Sequence, residues 1–286
     1  MDSRTEGYAL ALLSSLSYSA WLISSGAVAS TGGIVGSLAY AMIVALASSV
    51  LMGVRELSTI SRRRFLVSMV GGFAFAAGNL LFYALIPESG IGIAGAFSSL
   101  NLLFFSLMVM RRSRPRSVPA YVGGSVIAVL GLGTMYAAGG ASVDAPSVAM
   151  GTAVGLLYAL GTYALYRVSE TEGASASAIG VFAGEVLFLL APLSLRPELR
   201  PSVPATVAGF SLSVALALEA KGFGALGAIG GGGEALVNAL SNLELLPLAL
   251  YYVVMRLGNY LVYASSIAVI VAGLILMSEG MAAGSR

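Results

Sequence analysis

Apolar residues in this chain run in long blocks, with the polar residues gathered in the gaps between them. A helix needs about 20 mostly apolar residues to cross the hydrocarbon core of a bilayer. Ten blocks approach or exceed that length: 7–27, 34–54, 65–86, 91–110, 119–139, 148–167, 174–194, 204–220, 230–253 and 258–278. Membrane barrels use alternating segments of about ten residues, a pattern that these continuous runs do not have. The gaps are too short for a soluble domain. "AVAS" at 27–30 resembles a signal-peptidase site, with Ala27 and Ala29 as the small residues. The preceding run is too long for a signal core and residues 1–6 carry no net positive charge, so it is read as the first span.

Composition agrees with a bilayer as solvent. The chain has 286 residues, 58% hydrophobic and 10% charged, with a mean hydropathy of +0.92. Soluble domains carry about 25% charged residues. Cysteine and histidine are absent, which excludes disulfides, thiolate nucleophiles, Cys/His metal sites and histidine acid–base chemistry. Aspartate occurs only at 2 and 144, so a paired-aspartate intramembrane protease is excluded too. Ser or Tyr with Glu is a poor catalytic set, and the chain is expected not to be an enzyme. "GIGIAG" (Gly90, Gly92, Gly95) fits a dinucleotide fingerprint by letter only, since no strand precedes it. No cofactor is expected. Basic residues cluster at span ends instead of covering a face, so nucleic acid is not an expected partner.

With the N-terminus inside, inner segments hold 12 basic residues, including Arg62, Arg63, Arg64, Arg111, Arg112, Arg114, Arg116 and Arg286, against Arg196, Arg200 and Arg256 outside. The positive-inside rule then puts both termini in the cytoplasm, in a multi-pass protein of the cell membrane.

The chain also repeats itself. A shift of 144 lays "GYALALLSSLSYSAWL" (7–22) over "GTAVGLLYALGTYALY" (151–166), with identities such as Gly7/Gly151, Leu12/Leu156 and Ala20/Ala164. A shift of 142 lays "YVGGSVIAVLGLGTM" (121–135) over "YASSIAVIVAGLILM" (263–277). The order of the matches divides the chain into 1–143 and 144–286, five spans each. An odd number of spans per repeat forces opposite orientations, the inverted topology of secondary transporters, whose substrate site lies near the midplane between the repeats. The expected fold is all-α integral membrane, ten transmembrane helices in two inverted five-helix repeats.

These features, with "LSYSAWLISS" in span one, "GNLLFYALIPESGIGIAGAFSSLNLLFFSLM" across spans three and four and "GSVIAVLGLGTM" in span five, resemble the drug/metabolite transporter superfamily, EamA-like branch. The resemblance implies a Trp facing the cavity at the position of Trp21. Members often carry Pro in the fourth span of both repeats; here Pro247 has Ser106 as its counterpart.

A charged carboxylate at the bilayer centre costs at least about 2.5–3.5 kcal/mol, so an intramembrane acid points to an interior cavity. Glu185, Glu234 and Glu244 fall within spans whose cores hold no Lys or Arg. Carboxyls that pass between neutral and charged forms suit proton coupling or binding of a cationic group. On a helix turning about 100° per residue, Glu234, Asn238 and Asn242 form one stripe, with Ser241 beside it and Glu244 to one side. The opposite face is Ala235, Leu236, Ala239 and Leu243. The stripe is expected to face the cavity, and Gly230–Gly233 to admit close approach. Glu234 lies near its span start and either lines the cavity or reaches inner water. Glu185 either couples protons in the cavity or is a protonated acid bonded between helices. Glu219 and Lys221 flank an inner loop and are read as solvated. Asn79 and Asn101, with Ser98 and Ser99, either bond between helices or contact substrate. Tyr18, Tyr40, Tyr83 and Tyr163 lie at or near mid-span, and Tyr40, Tyr83 and Tyr163 join Trp21 as candidate substrate contacts. Asn242 has a counterpart in Asn101, while Glu234 and Glu244 have no acidic one.

The expected function is a secondary transporter that moves a small organic metabolite, an amino acid or similar, by alternating access. The alternatives are a sugar uptake carrier of the same fold and a non-transporting membrane protein. Phosphorylated substrates would call for Arg or Lys in the cavity. The expected partners are a small-molecule substrate, the lipid bilayer and a coupling proton, with the protein a monomer or homodimer.

Overall fold

The computed structural model describes residues 3–30, 33–58, 60–137, 144–170, 173–195, 198–227, 233–244, 246–256 and 259–281. Gly230–Gly232, Arg196, Arg286, the repeat boundary at 143 and the predicted span ends at 138–139 and 258 lie outside them. The elements are α1 (Ser3–Ala29), α2 (Ile34–Gly53), α3 (Arg62–Ser98), α4 (Leu100–Ser113), α5 (Val118–Ala137), α6 (Ala145–Ser169), α7 (Ala174–Leu195), α8 (Val203–Gly227), α9 (Gly233–Ser241), α10 (Leu246–Val254) and α11 (Tyr260–Gly280). Among the described residues there is no strand, and nine helical stretches are long and apolar enough to cross a membrane. Large apolar side chains face outward all round, among them Ile23, Leu51, Val70, Leu160, Phe210 and Leu261. That much exposed apolar surface suits lipid and not water. The protein is an all-α, multi-pass membrane protein.

Two of the predicted spans meet within α3. The expected interruption at 87–90 is confined to Gly90, whose φ of 80° and ψ of 156° break the helix without ending it. Only glycine occupies that backbone region comfortably, and for other residues it costs about 1–3 kcal/mol. No atom lies within 4 Å of a Cβ built there, so the cost of Gly90→Ala is pure backbone strain. That variant is expected to lose about 1–3 kcal/mol, read as a lower midpoint of thermal unfolding.

The span predicted over 230–253 is not one helix. It is α9 and α10, nine residues each, and at 1.5 Å per residue neither crosses about 30 Å of hydrocarbon alone. Polar side chains and Pro247 explain the break. Asn242 Nδ2 donates to the Asn238 carbonyl at 2.7 Å, beside the backbone bond from Asn242 N at 3.1 Å, which fastens the end of α9. The Glu244 carbonyl accepts from the Ser19 hydroxyl of α1. Pro247 sits in the first turn of α10, where its missing N–H is no loss. Backbone that leaves the helix inside a membrane needs such partners.

The helices pack as α1 on α8, α3 on α6, α5 on α11, α3 on α7, and α2 on both α7 and α8. Glycines set the closest approaches. A Cβ on Gly72 would fall 2.0 Å from the Val181 carbonyl oxygen, and one on Gly184 2.1 Å from that of Met69. The backbones of α3 and α7 therefore touch, with Glu185 next to the contact. At the arginine-rich end, Arg112 pairs with Glu170 at 2.7 Å, joining α4 to α6. There too Glu56, just past α2, accepts from Ser175 N at 2.8 Å at the start of α7. Asp144 caps α6 by accepting from Ser147 N at 2.9 Å, and hydrogen bonding from the Ser147 side chain and then its backbone holds the carboxyl below the usual range.

Candidate functional site

A cavity of about 50 Å³ lies near the middle of the bundle. Five long helices reach it close to their midpoints: α1 with Tyr18 and Trp21, α3 with Phe75 and Asn79, α6 with Tyr158 and Thr162, α7 with Glu185, and α8 with Leu212 and Leu216. Ser98 and Asn101 flank the bend at Ser99 between α3 and α4, and Asn242 and Glu244 come from the link between α9 and α10. Non-helical backbone at membrane depth occurs where it is buried in protein or lines a cavity, and the α9–α10 link does both.

The polar lining is organised by hydrogen bonds across helices. Tyr158 donates to Asn79 Oδ1 at 2.8 Å, and Asn79 Nδ2 donates to Glu185 Oε2 at 2.8 Å. This chain ties α6, α3 and α7 together, made possible by the Gly72–Gly184 contact a turn or two away. Glu185 is 0% exposed, and its Oε1 has no hydrogen-bond partner among the described residues. On the other side, Tyr18 of α1 donates to Glu219 Oε2 of α8 at 2.8 Å. Asn238 Oδ1 accepts from Asn242 Nδ2 at 3.0 Å and from Asn101 Nδ2 at 3.4 Å, fastening the two interrupted spans to each other. Trp21 Nε1 and Asn101 Oδ1 lack a partner among the described residues.

Two aromatic groups bracket this space. Toward the end away from the arginines, Trp21 stacks on Phe82 with centroids 5.3 Å apart, Phe82 meets Tyr83 and Tyr158, and Tyr83 bonds Ser25 at 2.7 Å. Toward the arginine-rich end, Phe105, Tyr166 and Phe223 pack together at 5.5–6.0 Å. The Arg112–Glu170 pair lies beyond them, with Tyr166 donating to Glu170 at 3.3 Å.

The structure brings Trp21, Asn79, Asn101, Glu185, Asn242 and Glu244 of the expected residues to one cavity. It does not bring the rest. Tyr83 is fully buried in the aromatic group. Tyr40 accepts from Thr206 at 3.4 Å on the outside of the bundle, and Tyr163 accepts from Arg167 at 3.5 Å. The stripe on α9 is divided. Asn242 lines the cavity, while Asn238 is 0% exposed and spent on Asn101 and Asn242. Glu234 is buried outside the lining, and Ala235, Leu236, Ala239 and Leu243 are buried too, so α9 has no lipid face. At Gly233, a Cβ would sit 3.0 Å from Leu226, so close packing is on α8. Sequence reasoning misplaced Glu219, which is 2% exposed and lines the cavity, while Lys221 is exposed. Helix α8 runs on to Gly227, and two residues of helix, about 200°, put the acid and the lysine on opposite faces. Phe75, Tyr158, Thr162, Leu212 and Leu216 were missed because nothing distinguishes them from other apolar or small polar span residues.

No family model matches the chain, and no curated protein matches it. Thirteen chains of known structure do. One, described only as "Crystal structure of protein", superposes with a TM-score of 0.67 over 96% of this chain and 95% of its own, at 17% identity. At that identity the likeness is one of fold.

Proposed function

We propose that this chain is a secondary transporter that moves a small organic metabolite across the cell membrane by alternating access, in a fold of the drug/metabolite transporter type. The observation that carries the reading is the buried polar cavity, to which residues of 1–143 and of 144–286 both contribute at mid-helix. Counting α9 and α10 as one interrupted span gives ten spans. Exchanging the two halves then sends the α1–α8 contact onto α6–α3 and α2–α8 onto α7–α3, while α5–α11 and α2–α7 map onto themselves. That is the packing expected of an inverted repeat. The interruptions correspond as well, one at Ser99 beside Asn101 and one at 242–244, which includes Asn242. The two aromatic groups are then the gates, one opening as the other closes, and the arginine-rich end is cytoplasmic. Lining carboxyls, with no Arg or Lys among the described residues of the lining, suit coupling to protons.

The test is flux. Protein reconstituted into liposomes is expected to accumulate a labelled metabolite when a pH gradient is imposed, above the level of empty liposomes. No flux of any metabolite class, downhill or driven, from folded protein would overturn the reading.

A further inference from the structure

We propose that the cavity receives a protonated amine carrying no carboxylate of its own. This rests on the transporter reading and narrows its substrate. Glu185, Glu219 and Glu244 all line the cavity, and no Arg or Lys is among the described residues that do. Glu219 already accepts from Tyr18, and Glu185 Oε2 from Asn79. Glu185 Oε1 is different: it is buried, it belongs to a lining residue, and no described residue donates to it. A buried acceptor left without a donor is costly, and an ammonium brings three donors together with the opposite charge. The Asn101 Oδ1 atom is a second acceptor without a partner in the same wall.

The remaining surface suits the same group. Trp21, Phe75 and Tyr158 line the cavity, and aromatic faces attract a cation held within about 6 Å of the ring centroid. A zwitterionic amino acid fits worse. Its carboxylate would stand among three acids with only neutral donors such as Trp21 Nε1 to meet it, and like charges placed together are strongly disfavoured. The amino acid expected from sequence therefore becomes its decarboxylated relative, with the side chain on the aromatic and leucine walls.

The experiment compares tryptamine and isobutylamine with tryptophan, valine and glucose, using the purified full-length protein for calorimetric binding and proteoliposomes for flux. At least one amine is expected to bind about tenfold or more tightly than its parent amino acid. Glu185→Gln is expected to weaken that binding about tenfold or more with its unfolding midpoint kept, since Gln still accepts from Asn79. Glu219→Gln is a second charge-removing variant should the first fail to fold. Binding or flux of an amino acid or of glucose that equals or exceeds that of the amines would overturn the assignment and leave the transporter reading standing. So would amine binding that neither variant weakens. Absence of amine binding and amine flux in folded protein would overturn the assignment alone, since the transporter reading falls only when no metabolite class is carried.

Discussion

Glu185→Gln is expected to abolish accumulation of substrate driven by a pH gradient, while downhill exchange at high substrate concentration stays measurable. The carboxyl sits fully buried on the cavity wall, held by Asn79 through one oxygen. Glutamine keeps the size and the acceptor for that bond, so Tyr158, Asn79 and residue 185 stay linked. It cannot take up or release a proton, and this is the property that coupling uses. The difference between driven and downhill flux separates loss of coupling from loss of the site. Glu244→Gln, at the break between α9 and α10, is the companion variant. Accumulation that survives both changes would remove proton coupling from the account and leave a facilitator.

Gly184→Val is expected to be the most damaging single change to the fold around the site. The Cβ alone would lie 2.1 Å from the Met69 carbonyl oxygen, 2.8 Å from its carbonyl carbon and 2.9 Å from its Cα, all backbone that cannot rotate away. Helices α3 and α7 must separate, and the Asn79–Glu185 bond lies next to that contact. Overpacking costs about 1–3 kcal/mol, and a buried polar pair pulled apart adds about 1–3 kcal/mol more. The measurement is the thermal unfolding midpoint of the purified variant beside Gly184→Ala, which carries the same Cβ without the branches. A midpoint unchanged in both would show that α3 and α7 can separate without loss.

The fold was readable in the sequence to the extent that bilayer thickness sets it. Most blocks of about twenty apolar residues became helices, although two of them run together in α3 and α8 runs past 220 to Gly227, because the chain has few other ways to satisfy its backbone in lipid. What apolar counting could not see was the state of the chain inside a block. The run 230–253 is apolar enough for one span, yet Asn242, Glu244 and Pro247 break it, through a side-chain amide that adds to the last backbone bond of α9 and a ring that has no N–H to donate. The site was partly legible for a related reason. Glu185, Asn79, Asn101 and Asn242 stand out because a polar group in an apolar run must be housed. The helical stripe on α9 was a weaker guide, since Asn238 points at other amides and Glu234 is buried elsewhere. Glu219 was misread because Lys221 seemed to mark a loop, although a helix separates those two residues by more than half a turn. Phe75, Leu212 and Leu216 carry no mark at all, because a cavity wall and a packing contact use the same side chains.

Alternating access is the central claim, and accessibility from the two faces tests it most directly. The chain has no cysteine, so single cysteines at Thr162 and Asn242, both on the cavity wall, stand alone as targets, with Ala235 and Ala239, buried in α9, as controls. A membrane-impermeant thiol reagent is added to one face of oriented vesicles or to the other. The account predicts that cysteines at 162 and 242 react from both faces, that transported solute protects them, and that 235 and 239 react from neither. Reaction of the cavity positions from one face only, or from neither, in protein that remains folded would contradict it.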